Sequence, residues 1–531
     1  MLNLLLFSCA RVGAPNGGTR DSLAPKFLGS NIDTTRLNVS RTVKELRLDF
    51  DEYVMLKDFN KNFNVSPPIK KIKKVIPSNL ANKYVLIQWE DTLQANTTYN
   101  FNFGNAIVDN NESNPLPYFN FAFSTGDKID DLFVSGTVKD AMTLIKENQT
   151  AKDNKMVVGL YKAGENLDYK QKPDYITKVD EENYFELNFL PKGEFVIIAF
   201  DDENQNSVYD AGKEKVSFLK EKITLDSTSV RGLKLKLYPS KKVVKYKESK
   251  AINGGLLMTF EGNPETVEVK SLSEELKDFK VTHAKRSDSV NIWFDAEKSN
   301  LGGTVSKQVK LSYFTPTISD TISVSYKAVK EEFKLSNEAG NLIAPENNFV
   351  INTSLPIENL NTSSWKLESD SIAQDFTAKI SEKNPFKILV NSSFKPTKKY
   401  VLTIPKETVS SYYSSNDKSF QFQFEIDKPE NYGSFTAVIK NKPTAKFWVE
   451  LTNEKGEILY SQFTNASEVS FKNLKPATYI ARIRVDNNGN GFWDEADFAQ
   501  NIAAEDVYIF EKEINVRPLW EIKEDWELTN R

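Results

Sequence analysis

The sequence predicts an all-β protein made of tandem β-sandwich domains. Apolar side chains alternate with polar ones in many short stretches, for example at Tyr99, Phe101 and Phe103. When apolar side chains recur at every second residue, one face of the strand points toward a core and the other points toward water. Clusters of turn-forming residues, such as residues 105–114, separate these stretches. Helical periodicity is scarce, and residues 273–279 are the best short candidate for a helix.

The length of the chain and its balance of charges narrow the class of protein. A chain of 531 residues is expected to hold roughly three to five domains. The 69 basic and 73 acidic residues are interspersed and leave a net charge of −4. A nucleic-acid-binding protein would show a basic stripe, and a solvating tail would be strongly acidic. We therefore expect no nucleic-acid partner.

The chain has one cysteine, Cys9, and one histidine, His283. It can form no intramolecular disulfide and no zinc site of cysteine and histidine ligands. His283 lies in an alternating stretch without a nucleophile elbow. The adjacent Asp201 and Asp202 would point to opposite faces of a strand and make a poor catalytic pair. We expect no catalytic residues and no enzymatic activity; a hydrolase is a less favoured alternative.

The first nine residues combine a short apolar run with the cysteine. Residues 2–7 are too few to span a bilayer and are typical of the end of a signal peptide. Residues 6–9 (Leu-Phe-Ser-Cys) resemble the lipobox of bacterial lipoproteins, which implies a covalent lipid on Cys9. Residues 10–23, rich in glycine and proline, are predicted to be a flexible tether. The alternative is a buried apolar N-terminus with a free cysteine.

Turn clusters divide the rest of the chain into predicted domains. Their boundaries are residues 24–127, 131–240, 251–330, 331–428 and 432–523. Residues 241–250 are charged and poor in turn-forming residues, which predicts either a linker or an edge strand.

Two internal repeats support this division. Residues 93–99 of the first domain are echoed by residues 394–400 of the fourth, and each stretch ends in a tyrosine followed by alternation. The second and fifth domains share residues at a constant offset of 284. The matching residues are Leu190, Phe195, Val196, Asp202, Asn204, Asn206 and Asp210 with Leu474, Tyr479, Ile480, Asp486, Asn488, Asn490 and Asp494.

The loop at residues 486–497 matches an EF-hand-type calcium loop. Side-chain oxygens fall at its first, third, fifth, ninth and twelfth positions, and Gly491 stands at the sharp turn. Oxygen atoms on alternate residues can converge on one hard cation, which predicts a calcium site. The predicted ligands are Asp486, Asn488, Asn490, Phe492, Asp494 and Asp497.

The repeated loop of the second domain is a weaker candidate. It keeps four oxygen-bearing residues, which are Asp202, Asn204, Asn206 and Asp210. Ser207 replaces the glycine, and Lys213 takes the twelfth position, where its charge would repel a cation. The alternative for both loops is an Asx-rich hairpin whose side chains satisfy their own backbone. A calcium ion there would stiffen the loop rather than catalyse.

Several stretches of the first domain resemble the bacterial Ig-like domain of Bacteroidota outer-membrane lipoproteins. They are residues 49–54 (Asp-Phe-Asp-Glu-Tyr-Val), 96–99 (Asn-Thr-Thr-Tyr) and 102–109 (Asn-Phe-Gly-Asn-Ala-Ile-Val-Asp), and residues 9–15 look similar as well. The second and fifth domains resemble the prealbumin-like β-sandwiches of the same phylum. The third and fourth are similar to Ig-like sandwiches only loosely. The resemblance implies tandem Ig-like and prealbumin-like β-sandwiches, lipid-anchored at the outer membrane on the cell surface.

A recurring triplet resembles the O-glycosylation acceptor of Bacteroidota envelope proteins. It consists of Asp, then Ser or Thr, then an apolar residue or Thr. The candidate acceptors are Ser22, Thr34, Thr92, Ser227, Ser289, Thr321 and Ser371. Chance occurrence in turn-rich β sequence is the alternative.

The resemblance also implies a function. Some lipoproteins of this kind look like surface-exposed subunits of outer-membrane machines for β-barrel assembly or export. We therefore expect a non-catalytic scaffold or interaction subunit, with a β-barrel outer-membrane protein and other envelope lipoproteins as partners. The alternative is a glycan-binding cell-surface lipoprotein. It would need an exposed aromatic platform, for which Trp365, Trp493 and Trp520 are candidates.

Overall fold

The computed structural model describes residues 21–144, 155–164, 167–329 and 331–528. Nearly all of the regular secondary structure in the described chain is β-strand, which confirms the predicted all-β class. Its short helices are α1 (Phe59–Asn62) and two 3-10 turns, Thr362–Ser364 and Pro429–Asn431. Contacts within the chain divide it into two compact units. The first holds most of residues 21–237, and the second holds most of residues 238–528 together with 140–144 and 211–215.

The first unit begins with a sandwich of two sheets. Its strands are β1 (Phe27–Ser30), β2 (Glu45–Leu56), β3 (Asn64–Ser66), β4 (Ile72–Ile76), β5 (Asn82–Trp89), β6 (Thr98–Gly104), β7 (Ile107–Asp109) and β8 (Phe119–Ser124). One sheet has the order β1-β2-β5-β4, with β7 on β2, and the other has the order β3-β6-β8. Phe101, Phe103, Phe121 and Phe123 are fully buried between the sheets. The alternation of these strands therefore builds the core.

A second sandwich follows in the same unit. Its strands are β9 (Leu132–Asp140), β10 (Met156–Lys162), β11 (Tyr175–Lys178), β12 (Tyr184–Leu190), β13 (Gly193–Asp201), β14 (Val216–Phe218), β15 (Ile223–Leu225) and β16 (Val230–Leu237). One sheet has the order β11-β10-β13-β14, with β15 on β13, and the other has the order β12-β9-β16. Phe185, Phe195 and Ile197 lie in its core.

The second unit starts with the third sandwich. Its strands are β17 (Lys245–Ile252), β18 (Gly255–Glu261), β19 (Glu268–Ser271), β20 (Lys280–His283), β21 (Ser289–Trp293), β22 (Lys307–Phe314) and β23 (Ser319–Tyr326). The sheets have the orders β17-β18-β21-β20 and β19-β22-β23. The charged segment 241–250 thus contains most of β17, an edge strand that pairs with β18 alone in the part of the chain that the structure describes.

The helix predicted at residues 273–279 is wrong. The segment forms only a turn, in which the Leu276 N–H donates to the Ser273 carbonyl at 3.3 Å. The Ser273 hydroxyl accepts the Lys310 N–H at 2.8 Å and ties the segment to the neighbouring strand β22. Leu276 is buried in the core of the third sandwich. Tertiary contacts of this kind override the weak helical periodicity of so short a stretch.

The fourth sandwich has the most strands. They are β24 (Leu335–Asn337), β25 (Leu342–Ile343), β26 (Phe349–Thr353), β27 (Asn359–Leu360), β28 (Lys366–Ser369), β29 (Ile372–Ala373), β30 (Phe376–Ser381), β31 (Asn384–Ser392), β32 (Lys399–Ile404), β33 (Val409–Ser410) and β34 (Phe420–Ile426). The two main sheets have the orders β24-β26-β31-β30 and β25-β34-β32-β28-β29, and β27 pairs with β33.

The repeat between the first and fourth sandwiches has a structural counterpart. The Tyr99 hydroxyl accepts the backbone N–H of Gln94 at 2.8 Å, and the Tyr400 hydroxyl accepts that of Lys395 at 2.8 Å. Each tyrosine is buried and opens a strand. The same tyrosine corner therefore begins the equivalent strand in both sandwiches.

The fifth sandwich completes the second unit. Its strands are β35 (Gly433–Lys440), β36 (Phe447–Thr452), β37 (Ile458–Thr464), β38 (Glu468–Leu474), β39 (Ala477–Val485), β40 (Val507–Ile509), β41 (Ile514–Val516) and β42 (Glu521–Glu527). The sheets have the orders β38-β35-β42 and β37-β36-β39-β40, with β41 on β39. This is the strand order of the second sandwich, repeated element by element. The internal repeat at offset 284 thus reflects a repeated fold.

Candidate cation-binding loops and their contacts

The loop at residues 486–497 starts directly after β39 and turns around the carboxylate of Asp486. This side chain is buried, with 3% of its surface exposed. Its two oxygens accept the backbone N–H groups of Asn490 and Gly491, each at 3.0 Å. Gly489 and Gly491 have φ angles of 72° and 81°, in the left-handed region that glycine tolerates best. Asp486 therefore holds the tight turn.

The two asparagines of the loop direct their amide nitrogens, not their oxygens, at Asp494. The Asn488 and Asn490 oxygens accept the N–H groups of Asn490 and Phe492 at 3.0 and 2.8 Å. Their Nδ2 atoms donate to Asp494 Oδ2 at 2.5 and 2.7 Å. The backbone donors determine which end of each amide is which, because an N–H group needs an acceptor. The loop is thus closed by hydrogen bonds of its own.

The other oxygen of Asp494 is bound by an arginine of the third sandwich. Arg286 Nη1 donates to Asp494 Oδ1 at 2.7 Å, and Arg286 Nε donates to Glu265 at 2.5 Å. The guanidinium carbon lies 4.7 Å from the centre of the Phe492 ring. Burial acts to raise the pKa of Asp494, but hydrogen bonds from Asn488, Arg286 and Asn490 outweigh it, so the pKa lies below its usual value.

A glutamate outside the twelve-residue window closes the loop from the other side. Glu505 is buried, and its carboxylate accepts the N–H groups of Asn488 and Asp494 at 3.1 and 2.9 Å. Burial raises the pKa of Glu505 above its usual value. The Trp493 indole donates to the Glu505 carbonyl at 3.1 Å. Sequence reasoning missed Glu505 because no spacing rule connects it to the loop.

Asp497, the predicted twelfth ligand, serves a separate turn. Its carboxylate accepts the Gln500 N–H at 3.2 Å, and its backbone exchanges two hydrogen bonds with Ile502. Across the residues that the structure describes, no three His, Cys, Asp or Glu side chains are grouped closely enough to hold a metal ion together. Calcium at this loop therefore stays a prediction.

The second loop repeats these bonds. Asp202 is buried and accepts the N–H groups of Asn206 and Ser207, each at 3.0 Å. Asn204 Nδ2 donates to Asp210 Oδ2 at 2.7 Å. Ser207 has a φ of 62° at the position of the second glycine of the fifth-sandwich loop. The shared Asx pattern thus specifies the same turn in both sandwiches, even where a serine must adopt a left-handed conformation.

The loop of the fifth sandwich also joins the start of the second unit. Ala496 donates its N–H to the Pro239 carbonyl at 3.1 Å and accepts the Lys241 N–H at 2.8 Å. The rings of Tyr238 and Trp493 lie 6.4 Å apart. We call these contacts, together with the Arg286 bridge, the clasp. The clasp links the fifth sandwich directly to the third.

A buried ion triad lies on the outer face of the fifth sandwich. Glu450 is completely buried although Val449 and Leu451, its neighbours on β36, fill the core on the opposite face. Arg482 binds one of its oxygens through Nε and Nη2 at 2.9 and 2.6 Å. Arg484 binds the other oxygen through the same atoms at 3.0 and 2.5 Å. Each arginine thus donates two charge-assisted hydrogen bonds to one carboxylate oxygen, and the four bonds together satisfy the buried carboxylate.

Aromatic rings cover this triad. The Arg484 guanidinium carbon lies 5.8 Å from the ring centres of both Trp448 and Trp493. Trp448 stacks on Phe463 with 4.4 Å between ring centres. The three tryptophans predicted as platform candidates differ in exposure. Trp365 is buried and its indole N–H donates to Thr408, Trp493 is half-buried, and Trp520 is about half exposed.

The remaining predicted site residues are placed as follows. Cys9 lies outside the described residues. Six of the candidate glycosylation acceptors are exposed, and Ser289 is half-buried and donates to Asp288. His283 is half-buried, and its Nε2 lies 3.0 Å from the Ser287 carbonyl oxygen. None of the helices in the described chain is long and apolar enough to cross a lipid bilayer.

Comparison with known proteins identifies one domain. Residues 21–125 match the family described as the bacterial Ig-like domain. The search of curated proteins found no match. Among solved structures, domains 1–6 of the surface layer protein SbsC are 11% identical, with 93% of this chain and 67% of that chain covered and a TM-score of 0.16. BcpA, the major pilin subunit of Bacillus cereus, is 11% identical, with 75% and 99% covered and a TM-score of 0.14. The N-terminal sandwich is therefore a bacterial Ig-like domain.

Proposed function

We propose that this chain is a lipid-anchored, non-catalytic interaction subunit at the outer membrane of a Bacteroidota cell. In this proposal, acyl chains on Cys9 hold the protein at the membrane, and its sandwiches present surfaces to a β-barrel protein and other envelope lipoproteins. The bacterial Ig-like domain at residues 21–125 supports this kind of protein. So does the lipobox-like sequence at residues 6–9.

The clasp is the observation that carries the scaffold role. A chain of sandwiches joined only by linkers would move freely at each junction. Here the Arg286 bridge to Asp494 and the backbone bonds of Ala496 tie the third sandwich to the fifth. A charge-assisted bridge and backbone pairing together restrain that motion. A restrained second unit can hold binding surfaces in a set geometry, which is what a scaffold subunit needs.

The test is a pull-down of the tagged full-length chain from outer membranes in mild detergent, followed by mass spectrometry. We expect a β-barrel outer-membrane protein at near-equal abundance. The matched control is Cys9→Ala, which removes the acylated atom and should leave the chain out of the membrane fraction. Recovery of the wild-type chain without any membrane protein would refute the proposal.

Glycan binding is the second candidate. Trp520 is 49% exposed, and the guanidinium of Arg517 lies 4.9 Å from its ring centre. Leu519 beside it is 70% exposed. A glycan array probed with the wild-type chain and with Trp520→Ala tests this role: binding lost in the variant supports it, and no binding by the wild type excludes it.

The same proposal includes calcium, as an ion that stiffens the loop of the fifth sandwich. The loop supplies the carboxylates of Asp486 and Asp494, and hard cations prefer such oxygen ligands. Binding would require Asn488 and Asn490 to turn their oxygens inward and Asp494 to leave Arg286. We therefore propose only weak binding.

A further inference from the structure

A groove in the second unit runs beside β37, the edge strand of the fifth sandwich. Its volume is about 430 Å³, within the range of roughly 300–1,000 Å³ that is usual for ligand sites. One wall holds residues 460–462 of β37, and the other holds side chains between residues 338 and 350 of the fourth sandwich. Asn473 donates to the Pro345 carbonyl at 2.9 Å and joins the two walls.

The hydrogen-bond ladder determines which backbone groups of β37 face this groove. The Asp486 N–H donates to the Lys446 carbonyl at 2.9 Å, so these residues form a hydrogen-bonded pair between the β39 and β36 ends. Bonded and non-bonded pairs alternate along antiparallel strands. The backbones of Trp448 and Glu450 therefore point to β39, and that of Val449 points to β37.

Val449 pairs with Gln462, so the N–H and C=O groups of Gln462 face β36. Ser461 and Phe463, its neighbours in the chain, direct theirs to the opposite side. In the described part of the chain β37 pairs with β36 alone, and no other strand takes up these outward groups. An open edge of this kind is a template for an added strand.

The side chains around the edge are apolar and basic. Leu342 lines the groove on the wall opposite β37 and is 50% exposed. Lys472 and Lys475 line the groove and are exposed. Among the described residues neither lysine is within ion-pair distance of a carboxylate. The groove therefore presents exposed apolar surface and two positive charges that no carboxylate of the described chain neutralises.

We infer that the groove binds an extended segment of a partner polypeptide, which adds to β37 as a strand. The segment pairs its backbone with Ser461 and Phe463. It carries apolar side chains at alternate positions and acidic residues toward Lys472 and Lys475, because unpaired cations at the rim attract negative charge. This inference rests on the proposed interaction role and names one of its surfaces.

The probe is a blocked, fluorescent heptapeptide of alternating valine and threonine with an aspartate at each end. Fluorescence anisotropy with the full-length protein measures its affinity, and amide hydrogen exchange locates it. We expect saturable binding and slowed exchange at the Ser461 and Phe463 amides, with the already paired Tyr460 and Gln462 amides unchanged. Slowed exchange at alternate residues is a signature of strand addition that side-chain docking does not produce.

Charge variants test whether the two lysines of the groove attract the peptide. The double variant Lys472→Glu/Lys475→Glu should weaken peptide binding about tenfold, since it replaces two attractions of modest strength with repulsions. Lys442→Glu, an exposed lysine of the same sandwich outside the groove, should leave affinity unchanged. No saturable binding, or binding without protection of Ser461 and Phe463, overturns the inference. The proposed function fails separately, if the pull-down recovers no membrane protein.

Discussion

The ion triad of the fifth sandwich gives a large predicted effect on stability. In Glu450→Ala, Arg482 would keep its charge at a site where only 7% of its surface is exposed, with no carboxylate to pair with it. Removing one partner of a buried ion pair costs about 3–5 kcal/mol. Arg484, which is more exposed, can turn toward water and adds little. We therefore expect the fifth sandwich to lose about 3–5 kcal/mol of unfolding free energy.

The assay is hydrogen-exchange mass spectrometry of the full-length protein across a urea series, followed on peptides from β36 and β39. With a slope of about 1–3 kcal/mol per molar urea, the midpoint of this sandwich should fall by roughly 1–5 M. Peptides from the first unit should keep their midpoint. Glu450→Gln keeps the shape of the side chain but not its charge, so its urea midpoint should lie between those of the wild type and of Glu450→Ala.

Glu468→Ala is the matched control in the same sandwich. Glu468 also pairs with a cation, Lys523 at 3.2 Å, but more than half of each side chain is exposed. An exposed pair contributes about 0–1 kcal/mol. If Glu450→Ala shifted the midpoint no more than this control, the buried triad would not contribute to stability, and the reasoning from its burial would be refuted.

The remaining predictions concern the clasp and two glycines. Because the pKa of Asp494 is lowered in the folded protein, its stabilising contribution is complete above its ordinary value of 3.8 and is lost as pH falls through the folded value; the protection of the loop amides, measured as their exchange rate relative to the intrinsic rate at the same pH, should fall at acidic pH, and unchanged protection would contradict this. Arg286→Gln frees one oxygen of Asp494, so calorimetry should detect about tenfold tighter calcium binding than in the wild type; equal affinity would exclude competition between the arginine and the ion. Gly255→Ala would place a methyl carbon 1.9 Å from the Ile292 carbonyl oxygen, so it should lower the thermal midpoint of the third sandwich by several degrees or prevent its folding. At Gly456 an added methyl carbon would meet no other part of the protein within 4 Å, but φ is 78°. Gly456→Ala should therefore destabilise the fifth sandwich by only about 1 kcal/mol. An equal loss of stability in both variants would refute the steric argument.

The features that sequence predicts well depend on local pattern. Successive side chains of a strand point to opposite faces, so Phe101 and Phe103, two positions apart, point the same way, and their rings fill the core. The pattern of Asp486 and Asn490 likewise specifies hydrogen bonds to N–H groups four and five residues away. Both arise from neighbours in the chain, so the sequence alone carries them.

The features that sequence could not predict depend on distant partners. Arg286 reaches Asp494 across 208 positions in the chain, and no spacing connects them. Glu450 and Arg482 stand at outward positions of their strands, where alternation predicts solvent-exposed side chains. They are buried because Arg484 and the ring of Trp493 lie over that face. What covers a strand face is a property of the assembled sandwich rather than of the strand.

The proposed role of the whole chain is tested most directly by native mass spectrometry of the full-length protein released from outer membranes in mild detergent. We predict a particle whose mass is that of this chain from Cys9 onward, acylated at that cysteine, plus a β-barrel membrane protein. A particle with the mass of this chain alone, carrying no lipid, would contradict the account.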